Sequence, residues 1–319
     1  MGELFLTSLE SVALLIVMAI PGFIVAKLKM INKAEAVKFL SVTLLYILQP
    51  FVTVNSFLNT EFTMDILWNM LAIFLFTAVT EITILYIGKA ILIPFKKLEV
   101  DSKSIIAYGG AFGNLSYMCI PFLQLLAPGR HELILYASCS CVIFNLLGWT
   151  LGNYVITGDK KFISLKKAVL NPPTLSFIIA LPLFIFNINF QRFNLTGIAN
   201  VFSLFANAVG PLSMTLLGIK LAEMSLKEMF LDPRAYIASA IKLILYPILG
   251  LIVMLLMSTF MDIEPIRLNL VALSAMPIAN NTMMFVTMAN KDTGLAAKEV
   301  MISTILSCVT IPICIMLMV

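Results

Sequence analysis

Apolar residues run along this chain in blocks of about twenty, divided by short polar stretches, and a block of that length crosses a bilayer as a helix. On that measure the sequence predicts ten spans, near 7–28, 34–57, 64–88, 103–126, 132–155, 172–188, 197–219, 235–258, 266–289 and 295–318. Eight read as plain helices. The fourth carries Gly109, Gly110, Gly113, Asn114 and Pro121 where a plain span would carry leucine, and the ninth carries Pro277, Asn280, Asn281 and Thr282. Proline removes a helical donor and clashes with the preceding turn, and glycine lowers helix preference. Both segments are therefore predicted to break, the fourth at Asn114. Broken backbone inside a membrane is tolerated only where protein buries it or where it lines a cavity, and a pair of such segments, one in each half, is the mark of a secondary transporter built from inverted repeats.

Composition agrees. With 319 residues, 61% of them hydrophobic and 12% charged, and a mean hydropathy of +1.02, the apolar residues cannot all hide in a water-soluble core. The fold class is an all-α polytopic membrane protein. The net charge of +4 comes from lysines in short loops, which is no nucleic-acid signal. Cys119, Cys139, Cys141, Cys308 and Cys314 lie in apolar segments and read as packing residues, without a disulfide framework or metal site. A single histidine, His131, excludes multi-histidine metal chemistry. The N-terminus lacks the basic region of a secretory signal, so the first apolar run is read as a retained span.

Lysine and arginine favour cytoplasmic loops. Of the 21 in the chain, Arg130, Arg192 and Arg267 fall in one set of alternate loops, Lys242 falls within a span, and all the others fall in the opposite set. The expected orientation places both termini on the non-cytoplasmic side of the cell membrane. A missed or invented span would scramble this alternation, which supports the helix number. The basic linker 158–171 is cytoplasmic and divides the chain into repeats at 1–157 and 172–319. Five spans each is an odd number, so the halves are expected to be inverted. Pro21 against Pro182, and Pro50 against Pro211, echo the same relation.

Gly113-Asn114-Leu115-Ser116-Tyr117-Met118-Cys119-Ile120-Pro121, the stretch Ala275-Met276-Pro277-Ile278-Ala279-Asn280-Asn281, and Ser303 through Pro312, in this order and placement, resemble the auxin efflux carrier family, which includes bacterial members as well as the plant PIN-FORMED carriers. The resemblance covers essentially the full length. It implies a fold like that of sodium/proton antiporters and bile-acid symporters, with helices 4 and 9 crossing at the midplane. Helices 3–5 and 8–10 would form a transport domain and helices 1, 2, 6 and 7 a scaffold, which is expected to carry a homodimer interface. It implies elevator-type transport, and the short central loop favours a compact prokaryotic-type carrier.

Converging half-helix N-termini offer positive partial charge and unpaired amides, so they can hold an anion without arginine. The expected substrate is a small organic anion, a carboxylate, with no cofactor. Asn114, carried over from the family's crossover asparagine, and Asn281, its apparent counterpart, are the expected binding groups, joined by Asn280, Ser116, Thr282 and Tyr117; both asparagines can equally serve as caps. Gly113, Pro121 and Pro277 shape the crossover. Phe285 either walls the site or packs, and Met283 and Met284 read as soft filler. Asn145 is expected to hydrogen-bond between helices. Glu81 is the one carboxyl group placed inside a span and has two readings, carrier of a coupling proton or structural partner of a base. Lys242 either shares that coupling or snorkels to the cytoplasmic headgroups. Lys220, Glu223, Lys227, Glu228 and Asp232 read as a solvated cytoplasmic face. The alternatives are a sodium- or proton-coupled symporter or antiporter of another solute, for which no carboxylate cluster stands near Asn114 or Asn281, and a membrane-embedded sensor, for which the loops are short. No catalytic constellation or phosphate-binding glycine loop points to an enzyme or to ATP-driven pumping.

Overall fold

Eight of the chain's ten apolar runs contain a proline, and a proline ring pressed against the carbonyl one turn back strains the helix, which can widen or stop there. Both outcomes occur in the computed structural model, which describes residues 2–223 and 230–319. Among the described residues all regular structure is helical apart from one isolated antiparallel bridge between Gly113 and Ile278.

Twelve helical pieces follow in order: α1 (Gly2–Lys27), α2 (Lys33–Leu58), α3 (Met64–Ile91), α4 (Val100–Ala111), α5 (Leu115–Leu126), α6 (His131–Thr157), α7 (Pro172–Ile185), α8 (Thr196–Glu223), α9 (Pro233–Met257), α10 (Glu264–Ala275), α11 (Asn281–Met288) and α12 (Thr293–Met318). Each predicted apolar run is helical, with boundaries displaced by a few residues. Eight helices are long and apolar enough to cross a membrane, α7 counting from Lys160. The chain is a polytopic helical membrane protein. The fourth and ninth runs are each in two pieces, α4 with α5 and α10 with α11.

Where the helix widens, it does so just before a proline. The amides of Gln49, Cys119 and Tyr246 reach back five residues to the carbonyls of Leu44, Asn114 and Ile241, and Pro50, Pro121 and Pro247 follow within two residues. A turn of this width moves the i−4 carbonyl away from the proline ring. A fourth wide turn, at Gly148–Gly152, has glycine at both ends instead.

α1 lies along α8 and also packs against α12; α2 packs against α7, α8 and α6; α3 packs against α4 and α6, and α9 against α4 and α12. The α1–α8 contact is backbone on backbone. A Cβ at Gly22 would overlap the Thr215 carbonyl, and one at Gly218 would overlap that of Ala19. Lipid tails are as apolar as leucine, so such helices associate by close packing, and small residues permit it.

Candidate functional site at the crossed helix breaks

The two breaks meet. α4 ends at Ala111 and α10 at Ala275, and the freed strands run antiparallel past each other: the Asn114 amide donates to the Pro277 carbonyl at 2.8 Å, and the Ala279 amide to the Phe112 carbonyl at 3.0 Å. Pro277 has no amide to offer, and a carbonyl is all this position requires. The Ile278 amide donates to Ser303 Oγ of α12 at 3.1 Å. In this way backbone groups freed by the breaks are paired inside protein, as a membrane interior demands.

Asn114 stands at the N-cap of α5, where its Oδ1 accepts from the Tyr117 amide at 3.3 Å. Its structural counterpart is Asn280, which occupies the N-cap of α11 but makes no capping bond; Asn281, the predicted partner, is the first residue of that helix. Asn280 is buried and its Oδ1 has no partner, and the Thr282 hydroxyl is likewise buried and unpaired. Asn114, Asn280, Asn281, Ser116, Tyr117 and Gly113 line a cavity of about 20 Å³ at the crossing. Thr282 lies in the adjoining turn, outside the lining. The Tyr117 carbonyl accepts from Ser213 of α8 at 2.9 Å, and Ser116 Oγ lies 3.1 Å from Cys141 Sγ of α6. Pro121 packs at Gly210 of α8.

This cavity adjoins a much larger vestibule of about 620 Å³, with which it shares Leu45, Asn145 and Asn281. Lys166 and Lys167 stand on its wall, beside Trp149 and Met284. The Lys167 ammonium lies 5.1 Å from the Trp149 ring centroid. The vestibule is thus cationic at its mouth and apolar along its wall. Beyond the C-terminal end of α5, a second cavity of about 330 Å³ is lined by Asn55, Gln124, Arg130, His131 and Asn207.

Several expectations change. Lys242 does not snorkel: it is fully buried, with its Nζ 3.3 Å from the Tyr246 ring centroid, and a Cβ on Gly113 would come within 2.9 Å of that Nζ. The wide turn at Ile241–Leu245 aims it at the break. Glu81 is buried as well and has no hydrogen-bond partner. It is not the one buried carboxyl group: Glu299 of α12 is fully buried too, with both oxygens unpaired, and a Cβ on Gly109 would lie 2.6 Å from its Oε2. The signal was there in Gly109, the one residue on α4 that leaves room for it. Asn145 donates within its own helix, to the Cys141 carbonyl at 2.7 Å, and not between helices. Phe285 is buried against Tyr108 and Trp149 and is a packing residue.

The expected solvated face is also different. Glu223 is exposed, but Lys220 and Asp232 are buried; Lys227 and Glu228 lie outside the described residues. Asp232 binds Arg234 at 2.8 Å and Lys298 at 3.1 Å, and Arg234 donates to Ser102 Oγ at 3.1 Å. This network ties the same ends of α4, α9 and α12 together. Hydrogen bonds from the Arg234 guanidinium, and after it from Lys298, hold the Asp232 carboxyl well below the usual carboxylate range.

Residues 160–315, from the central linker into α12, match the family model described as "Membrane transport protein". The match covers just under half of the chain and is a likeness to that family. The likeness to a membrane transport protein agrees with the chain's apolar helices. The match covers the second break and the wide turn that carries Lys242, while the first break lies outside it. No curated protein matches the chain significantly.

Proposed function

We propose that the chain is a secondary carrier of a small organic anion, a carboxylate, which binds at the crossing of the two breaks. The observation that carries this reading is the cavity at the crossing, with the N-termini of α5 and α11 beside it and Asn280 on its wall, whose Nδ2 group can donate to a carboxylate. Helix N-termini favour negative charge. The lysines of the vestibule favour the same sign, and a cationic mouth raises the local concentration of anions.

In this reading the ten helical runs are ten spans, arranged as inverted repeats at 1–157 and 172–319 with both termini outside the cell. The set α1, α2, α7 and α8 forms a scaffold, on which two copies pair, and the remaining helices form the moving body. The ionic network that joins α4, α9 and α12 supports a body that moves as a unit. An elevator movement would carry the crossing from the 620 Å³ vestibule towards the cavity at Arg130 and His131.

The test is uptake of radiolabelled lactate, succinate, malate and benzoate into proteoliposomes of the purified chain, with Asn280→Ala and Asn114→Ala at matched reconstitution. Saturable uptake or counterflow of one of them, weakened by substitution at the crossing, is the expected result. Intact reconstituted protein that moves none of them in uptake or counterflow would overturn the reading.

A further inference from the structure

We infer that Lys242 and Glu81 tie each anion held at the crossing to one proton, with Lys242 supplying positive charge from behind Gly113 and Glu81 taking the proton as the anion binds. The inference rests on the carrier reading above and adds its coupling.

The placement carries the argument. Gly113 lines the cavity on one side, and on its other side the Lys242 ammonium stands where a side chain at position 113 would have to go. One residue's backbone separates the charge from the cavity. Lys242 comes from α9 and Glu81 from the middle of α3, and each is fully enclosed without a hydrogen-bond partner. Thr80, next to Glu81 on α3, hydrogen-bonds the Tyr246 hydroxyl at 3.0 Å, and the Lys242 Nζ lies 3.3 Å from the centroid of that ring, which puts both groups in one cluster. The other ionisable groups facing them are the phenols of Tyr108 on α4 and Tyr246 on α9 and the thiols of Cys119 on α5 and Cys141 on α6. Phenols and thiols ordinarily hold their protons at neutral pH, which leaves Glu81 and Lys242 as the two charges of the cluster. Glu299 belongs to a different set, facing Asp232, Arg234 and Asp292.

Net charge inside a membrane is costly, and buried ionisable residues avoid that cost by pairing. With the cavity empty, Lys242 and Glu81 sum to zero. A monovalent anion at the crossing brings the sum to minus one, and a proton on a Glu81 carboxylate oxygen restores zero. The converse holds by linkage: an ionised Glu81 lowers anion affinity by the same factor by which the anion raises proton affinity. The proton binds from the side on which the anion enters and leaves, as a proton, on the side on which the anion departs. No other bond forms or breaks, and one monovalent anion with one proton crosses without net charge.

Two measurements test this in proteoliposomes holding the pH dye pyranine, with protein-free vesicles subtracted. First, counterflow at equal pH on both sides is measured with the carboxylates named above. Second, net uptake is measured under a pH gradient. The expected result is a proton entering with each anion and an accumulation of lactate of about tenfold for each pH unit of gradient, the ratio set by one proton per anion. In Glu81→Gln, uptake no longer responds to the gradient and the dye signal disappears; Glu81→Asp restores both, which a merely structural role would not. Wild-type counterflow together with net uptake that brings in no proton overturns the coupling and leaves the carrier reading standing. Absence of counterflow for every carboxylate overturns both, and the wild-type measurements decide even if the variants fail to fold.

Discussion

The two helix breaks cross each other and share a pair of backbone hydrogen bonds, but they treat their own polar groups differently. At the first, Asn114 donates its amide to Pro277, accepts at its carbonyl from Cys119 and caps α5 with its side chain. At the second, Asn280 stands in the equivalent position and caps nothing, and the hydroxyl of Thr282, two residues on, is also unpaired. A buried polar atom without a partner costs free energy unless something supplies one. The first break pairs its polar groups within the protein; in the proposed reading the second keeps its hydrogen-bonding capacity for a ligand.

Substitutions can break this comparison. The largest effect is expected from Asn280→Ala. A hydrogen bond to a charged ligand is worth about 1.5–3 kcal/mol, so carboxylate uptake should fall about 10–100-fold, with little change in the thermal midpoint of the detergent-solubilised protein. Next is Ser303→Ala, which strips the Ile278 amide of its acceptor inside the protein and should cost about 1–3 kcal/mol of stability, read as a lowered thermal midpoint. Asn114→Ala removes a cap and should cost about 1 kcal/mol, with a smaller loss of uptake than Asn280→Ala. If the Asn114 variant loses more transport than the Asn280 variant, the division of roles is wrong. The smallest effect is expected from Lys166→Gln with Lys167→Gln, a several-fold loss of uptake at low ionic strength that shrinks towards 0.15 M salt as screening takes over.

Much of this was legible in the residues. Gly113, Pro121 and Pro277 announce the breaks because their effect is local: a missing side chain or a missing amide acts within one turn. Which asparagine caps and which stays free was not legible, because Asn280 and Asn281 are neighbours and the answer depends on where α11 begins. Lys242 looked able to snorkel, since nothing in its flanks reveals that the wide turn before Pro247 aims it at Gly113. Glu299 was missed because it follows Lys298 near the start of α12, where charges are ordinarily solvated; its burial depends on Gly109, far away in sequence. Lys220 and Asp232 were placed in solvent for the same reason, their burial depending on other helices.

The central claim is that the second break holds the anion, and labelling of a single cysteine there tests it directly. Asn280→Cys, in a chain whose native cysteines are replaced by serine or alanine and which still transports, is exposed to an anionic thiol reagent such as 2-sulfonatoethyl methanethiosulfonate. The cysteine should be modified from the vestibule, and the transported carboxylate should slow that modification in a saturable manner, at the concentration that half-saturates uptake. Modification at an unchanged rate under saturating carboxylate would contradict the account.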